Sequence, residues 1–124
     1  MPAKVVDASV IAAIAFSEER RGQAERLVGD DDMYAPFLLR YELISIARRK
    51  ITEEPSKRQD IMDGLGMAMA LPVRLVEVSY PDVLELALAH RLSTYDASYL
   101  YVAMTGGMKL VTFDQRLQAA AAVL

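Results

Sequence analysis

The chain has 124 residues, of which 53% are hydrophobic and 25% charged, so we expect one globular domain over residues 1–124 rather than disorder. The absence of cysteine and the single histidine exclude disulfides, thiolate metal sites and multi-histidine zinc sites. The net charge of −3 argues weakly against a nucleic-acid binder. No apolar run reaches the roughly 18 residues of a membrane span, and Asp7 interrupts the apolar start, so we expect a cytoplasmic protein.

Short apolar runs alternate with helical patterns along the chain. The patterns predict strands at residues 3–7, 33–35, 73–78 and 109–113, and helices at 9–16, 18–28, 37–50, 55–65, 81–90, 94–105 and 114–122. This alternation predicts an α/β sandwich with a mostly parallel sheet. In such folds, ligands bind beyond the carboxyl ends of the strands.

Four acidic residues lie in or next to these predicted elements: Asp7, Glu42, Asp96 and Asp114. Asp7 and Asp114 follow apolar strands, and so they belong to the edge where ligands bind. Carboxylates that converge in one cleft repel each other, and a hard divalent cation with oxygen ligands is the usual remedy. The four acids therefore predict metal-dependent chemistry on phosphate.

Three of these acids also have a purely structural interpretation. Asp7 and Asp114 could cap the helices that follow them, and Asp96 could form a capping box with Ser93. Glu42 has no such role, because it lies in the middle of a helix beside an apolar stripe, with an apolar residue at i+4. The joint pattern is therefore more specific than any one of its members.

Positive charge is concentrated in one segment of the chain. Residues 40–58 contain six basic and three acidic residues, a net charge of +3, which leaves −6 for the rest of the chain. Such a segment could hold a phosphate backbone, with Arg48, Arg49 and Lys50 as the candidates for contact. The alternative is that these three cations simply complement the dipole at a helix end.

Several other polar and aromatic residues have simpler interpretations. We expect His90 to be a surface residue at a helix C-terminus. Ser9 is read as a cap or a supporting hydroxyl, because the sole histidine lies far from it in sequence. Tyr95, Tyr99 and Tyr101 could stack on bases, but packing is favoured and at least one should belong to the core.

The order of four short motifs resembles that of the PIN-domain nucleases. The motifs are Val-Val-Asp7-Ala-Ser9, Tyr41-Glu42-Leu-Ile, Tyr95-Asp96-Ala-Ser-Tyr-Leu and Leu-Val-Thr112-Phe-Asp114. More narrowly, the set is similar to the VapC-type toxins of toxin–antitoxin modules. The resemblance extends from residue 4 to residue 117.

The resemblance implies a PIN-like three-layer sandwich, with a mostly parallel central sheet of four or five strands and helices on both faces. It also implies a Mg²⁺- or Mn²⁺-dependent endoribonuclease, whose catalytic and metal-binding quartet would be Asp7, Glu42, Asp96 and Asp114. Thr112 would orient Asp114 or Asp7, and Ser9 would help to arrange the metal's waters.

The implied partners are an RNA substrate, a cognate antitoxin that covers the acidic cleft, and a second copy in a homodimer formed through apolar helical surface. Because the chain ends at Val123-Leu124, the final edge strand of some relatives would be absent or minimal.

Two other functions stay open. One is phosphoryl transfer through an aspartyl-phosphate at Asp7, although Ser9 stands where that chemistry normally has a second acid. The other is a non-catalytic PIN-like module for protein binding or regulation.

Overall fold

The computed structural model describes residues 2–123, which form four strands and seven α-helices. The strands are β1 (Ala3–Val6), β2 (Asp32–Pro36), β3 (Val73–Val76) and β4 (Lys109–Val111). The helices are α1 (Ala8–Ala15), α2 (Arg21–Val28), α3 (Leu38–Glu53), α4 (Arg58–Ala70), α5 (Tyr80–His90), α6 (Thr94–Gly106) and α7 (Gln115–Ala122). A short 3₁₀ turn, Pro55–Lys57, connects α3 to α4.

The four strands form one parallel sheet in the order β3-β2-β1-β4. In β1, Val5 pairs with Tyr34 on one side and with Leu110 on the other. Val5 and its neighbour Val6 point to opposite faces of the sheet, and both are 0% exposed. Both faces are therefore covered, as a parallel sheet requires, and the predicted α/β sandwich is confirmed.

Helix α6 lies at the centre of the packing, with contacts to β1, β2 and β4. Its buried residues lie on most of its circumference, as expected for a helix enclosed by the protein: Ala97, Ser98, Tyr99, Leu100, Val102 and Ala103. The helix ends at Gly107, which has a φ of +61°. Within residues 2–123, no helix has the length and apolarity that crossing a bilayer demands.

Several predicted boundaries were wrong. Strand β4 ends at Val111 instead of residue 113, helix α2 begins at Arg21 instead of residue 18, and helix α3 continues to Glu53 instead of ending at residue 50. Helix α4 does not end before Gly66 but continues to Ala70, because Ile61 and Ala68 are buried on one of its faces and this packing outweighs the low helix propensity of glycine. The residue after the helix, Leu71, precedes Pro72 and has the extended backbone that proline favours. Strand β3 ends at Val76 instead of residue 78. No fifth strand occurs in residues 2–123, and Leu124 lies outside the described residues.

The two glycines of α4 provide a matched test of this packing. In Gly64→Ala, the new Cβ would lie 2.7 Å from Phe16 Cδ1 and 3.0 Å from the Ala15 carbonyl oxygen. Because α1 and α4 must separate to relieve this clash, we expect the free energy of unfolding to fall by about 1–3 kcal/mol.

In Gly66→Ala, the Cβ meets nothing within 4 Å, so the better helix propensity of alanine should raise the free energy of unfolding by up to about 1 kcal/mol. Urea denaturation of the wild type and the two variants measures both values. Shifts of the same sign in the two variants would contradict this account of α1–α4 packing.

Candidate active site

A cleft of about 740 Å³ at the carboxyl ends of the strands contains all four predicted acids. Asp7 directly follows β1, and Asp114 lies just beyond β4. Glu42 reaches the cleft from α3, and Asp96 reaches it from the first turn of α6. Four segments that are remote in sequence thus bring their carboxylates to one edge of the sheet.

Asp7 is both the N-cap of α1 and the most deeply buried of these acids, with 6% of its surface exposed. Its Oδ1 accepts hydrogen bonds from the backbone amides of Ser9 (3.1 Å) and Val10 (3.3 Å) and from the Ser9 hydroxyl (2.6 Å). The Thr112 hydroxyl donates to its Oδ2. Burial raises the pKa of Asp7, and these hydrogen bonds oppose the rise by favouring the charged form.

Two hydroxyl groups connect the end of β1 to the end of β4. Thr112 donates to Asp7, and its Oγ1 accepts from the Asp114 backbone amide at 3.0 Å. Ser9 also donates to Asp7, and its Oγ accepts from the Phe113 backbone amide at 3.2 Å. Thr112 therefore contacts both acids that it was predicted to orient: it bonds to the side chain of Asp7 and to the backbone amide of Asp114.

Glu42 has a partner that the sequence did not reveal. Its Oε1 accepts a hydrogen bond of 2.6 Å from the hydroxyl of Tyr99, a residue of α6 that is 1% exposed. Burial raises the pKa of Glu42, the Tyr99 hydrogen bond lowers it, and the negative charges of Asp7 and Asp96 raise it further. No local pattern could predict this contact, because 57 residues separate the two side chains.

Asp96 and Asp114 are less enclosed and both lie at helix N-termini. The Asp96 backbone amide donates to Ser93 Oγ at 3.0 Å, which is half of the predicted capping box. The other half, a bond from the Ser93 amide to the Asp96 carboxylate, is missing from residues 2–123. Asp114 caps α7 by accepting from the Leu117 amide at 2.9 Å. Burial, followed by the charges of Asp114 and Asp7, raises the pKa of Asp96, and Ser93 opposes this rise.

The three predicted RNA-contacting cations occupy different environments. Arg49 lines the cleft, whereas Arg48 is exposed outside its lining. Lys50 forms an ion pair of 2.7 Å with Glu18 and lies 5.6 Å from the ring centroid of Phe16. Of these three, Arg49 is therefore the residue whose charge is directed to the acidic cleft.

Arg20 is a lining residue that sequence reasoning missed. Its guanidinium lies 4.5 Å from the ring centroid of Phe113, the residue between Thr112 and Asp114. It precedes α2 in a segment with no recognisable motif, so only the folded chain shows that it borders the cleft. Of the three tyrosines considered for stacking, Tyr95 lines the cleft and is 63% exposed, Tyr99 is buried, and Tyr101 is not part of the lining. Tyr41, which was not among them, also lines the cleft and is 76% exposed.

The donor chemistry of the cleft suits a hard divalent cation. All four acids offer carboxylate oxygens, which Mg²⁺ and Mn²⁺ prefer, and within residues 2–123 none of them forms an ion pair. In this part of the chain, however, no three acidic or histidine side chains are arranged closely enough to form a complete metal site. The cleft thus has the ligand types of a cation site, but its side chains are not close enough together to coordinate a cation as they stand.

The repulsion in the cleft predicts a stabilising substitution. Because the pKa of Asp96 lies above its ordinary value of 3.8 in the folded state, the charged form costs folding free energy as the pH rises through that folded-state pKa. Asp96→Asn removes this cost. Without added metal, we expect the free energy of unfolding at neutral pH to rise by at most about 1 kcal/mol, since solvent screens a partly exposed carboxylate.

The gain should disappear as the pH falls below about 4, where Asp96 is protonated in both states. Thermal unfolding between pH 3.5 and 7 measures it, with Glu85→Gln, an exposed site on α5 outside the cleft, as the control. A variant that is less stable than the wild type at neutral pH would contradict the proposed repulsion.

Comparison with known proteins identifies the family. The PIN domain family model matches residues 4–123. Ribonuclease VapC3 of Pyrobaculum aerophilum is 36% identical over 118 residues, which cover 91% of this chain and 90% of the relative. The crystal structure of PAE2754 from the same organism superposes with a TM-score of 0.76 at 25% identity, covering 96% of this chain and 84% of that one.

A second crystal structure, that of VapC20 from Mycobacterium tuberculosis, is described as a sarcin-ricin loop cleaving toxin. It matches with a TM-score of 0.73 at 20% identity and covers 94% of each chain, a similarity that bears on the fold. The resemblance seen in the sequence motifs is confirmed, and the chain belongs to the PIN-domain family.

Proposed function

We propose that this chain is an endoribonuclease that hydrolyses RNA phosphodiester bonds with the help of Mg²⁺ or Mn²⁺. The observation that carries the proposal is the gathering of four carboxylates, from four separate segments, in one cleft at the carboxyl edge of the sheet. Two facts support it: the similarity to a relative named as a ribonuclease, and the general use of a divalent metal by PIN-domain nucleases.

In this proposal, the cation is held by Asp7, Glu42, Asp96 and Asp114. A bound cation would supply an activated water near neutral pH and would offset the charge that develops on the phosphate. The protein's contribution is to restrain the ligands in advance. Ser9 and Thr112 hold both oxygens of Asp7, so this carboxylate is already ordered before any ligand arrives.

The walls of the cleft would bind the RNA itself. Arg49 and Arg20 place positive charge beside the acids, where the phosphates on either side of the scissile bond require it. Tyr41 and Tyr95 present exposed aromatic surface at the same cleft, on which unpaired bases can stack.

The central test is cleavage of total RNA by the purified chain with Mg²⁺, Mn²⁺ or EDTA. Removing a residue that only hydrogen-bonds to a metal ligand already lowers activity by roughly 10- to 100-fold. Asp96→Asn removes a proposed ligand itself, so it should reduce the rate of cleavage by about 100-fold or more. EDTA should abolish it, and Glu85→Gln should have no effect. The products should carry a 5′-phosphate and a 3′-hydroxyl.

Two results would contradict the proposal. Unchanged cleavage by Asp96→Asn in Mn²⁺ would remove this acid from the active site. Products that end in a 2′,3′-cyclic phosphate would mean that the RNA's own 2′-hydroxyl, rather than a metal-activated water, attacks the phosphate.

Two adjacent arginines of α3 separate RNA binding from a general effect of charge. Arg49→Ala should raise the Kd for RNA by about tenfold, equivalent to about 1.4 kcal/mol, and should lower the slope of log affinity against log salt concentration by about one. Arg48→Ala removes the same charge outside the cleft and should change neither value much. Fluorescence anisotropy with a catalytically inactive background measures both, and equal effects would contradict a specific contact at Arg49.

The two alternative functions have less support. Phosphoryl transfer through Asp7 normally has a second acid two residues further on, but Ser9 stands at that position and donates a hydrogen bond to Asp7. A purely protein-binding module gives no reason to keep acids whose charges raise one another's pKa.

We also propose a cognate antitoxin that covers the cleft, because VapC toxins generally pair with antitoxins. Exposed Phe37, Tyr41 and Ile44 at the start of α3 lie at helical spacing and offer it apolar surface beside the acids. A homodimer is the second proposed assembly, through exposed Tyr80, Leu84 and Leu88 along one face of α5. Light scattering during size-exclusion chromatography measures the oligomeric state, and a monomer at micromolar concentration would contradict the homodimer.

A further inference from the structure

We infer that Tyr99 is a positioning residue, which fixes the carboxylate of Glu42 so that one oxygen is held and the other is left for a ligand in the cleft. The inference deepens the proposed function and rests on it for its catalytic consequence. Its structural part rests on the hydrogen bond of 2.6 Å between Tyr99 Oη and Glu42 Oε1.

Tyr99 is well suited to hold another side chain in place. Its ring is 1% exposed in the middle of α6, next to buried Leu100, so it cannot turn without disturbing the core. Its phenolic hydroxyl has a proton to donate, and an ionised carboxylate can only accept. The bond is charge-assisted and therefore stronger than one between neutral groups.

Glu42 has little else to restrain it. Its side chain is longer and more flexible than those of the three aspartates, and its i+4 neighbour is the apolar Ile46. Within residues 2–123, no cation pairs with it, and its Oε2 accepts no hydrogen bond. The hydrogen bond from Tyr99 therefore restrains the Glu42 side chain before a metal binds, so that less conformational entropy is lost on binding.

A competing explanation is that Glu42 merely satisfies a hydroxyl that would otherwise be buried without a partner. That explanation predicts an effect of the bond on stability alone. A positioning role predicts an additional effect on the affinity for the metal, and this effect must depend on the carboxylate of Glu42.

The test uses Tyr99→Phe, which keeps the ring and removes the hydroxyl. We expect the affinity for Mn²⁺, measured by calorimetry on the metal-free protein, and the kcat for RNA cleavage each to fall by roughly 10- to 100-fold. The KM for RNA should stay nearly unchanged. The matched control is Tyr101→Phe on the same helix, since the Tyr101 hydroxyl forms no hydrogen bond to residues 2–123, and it should behave as the wild type.

A double-mutant cycle makes the result specific to this pair. In the Glu42→Gln background, Tyr99→Phe should cause no further loss of Mn²⁺ affinity. Glu42→Asp, which keeps the charge but is one methylene too short for the bond, should reproduce the loss seen in Tyr99→Phe, and it serves if the tyrosine variant does not fold.

Undiminished Mn²⁺ affinity in Tyr99→Phe, or an equal loss in the Glu42→Gln background, would overturn the inference. If the wild type binds Mn²⁺ but does not cleave RNA, the proposed function fails, and the role of Tyr99 is still decided by the affinities. If the wild type does not bind Mn²⁺, both fail.

Discussion

A carboxylate that is withdrawn from water costs free energy, and Asp7 is such a group, buried at the end of the central strand β1. The cost is reduced by two backbone amides of α1 and by the hydroxyls of Ser9 and Thr112. Because Thr112 belongs to the segment after β4, the bonds that satisfy Asp7 also hold the two strand ends together. Asp114 comes to the cleft through the same contacts. One requirement, the satisfaction of a buried charge, thereby organises much of the site.

The parts of this arrangement that depend on local pattern could be predicted from the sequence. Apolar strands are recognisable in a few residues, and a general rule for parallel sheets places the groups that follow them at one edge. Asp7 and Asp114 were assigned to the cleft in this way. Glu42 was recognised by elimination, since a charge in an apolar part of a helix needs a reason. The parallel sheet and the family resemblance, which were also predicted from the sequence, are confirmed.

The parts that depend on tertiary contact could not be predicted. The hydroxyl of Tyr99 reaches Glu42 across 57 residues, and Arg20 borders the cleft from a loop without a motif. Arg49 and Lys50 are neighbours in sequence, but successive residues of an α-helix point about 100° apart, so the first reaches the cleft and the second reaches Glu18. Helix α4 continues past Gly66 because its other residues pack on α1. Helix propensity, which is a local property, does not include the free energy of this packing.

The pairing of the first strand with the last has a consequence for synthesis. Val6 pairs with Val111, and Thr112 bonds to Asp7 across 105 residues, so a chain emerging from the ribosome cannot assemble the cleft until β4 and Thr112 have been translated. Every truncated product that stops before β4 lacks both the partner of Asp7 and the acid at position 114. If the chain cuts RNA as proposed, its topology delays that activity until the segment after β4 has been translated.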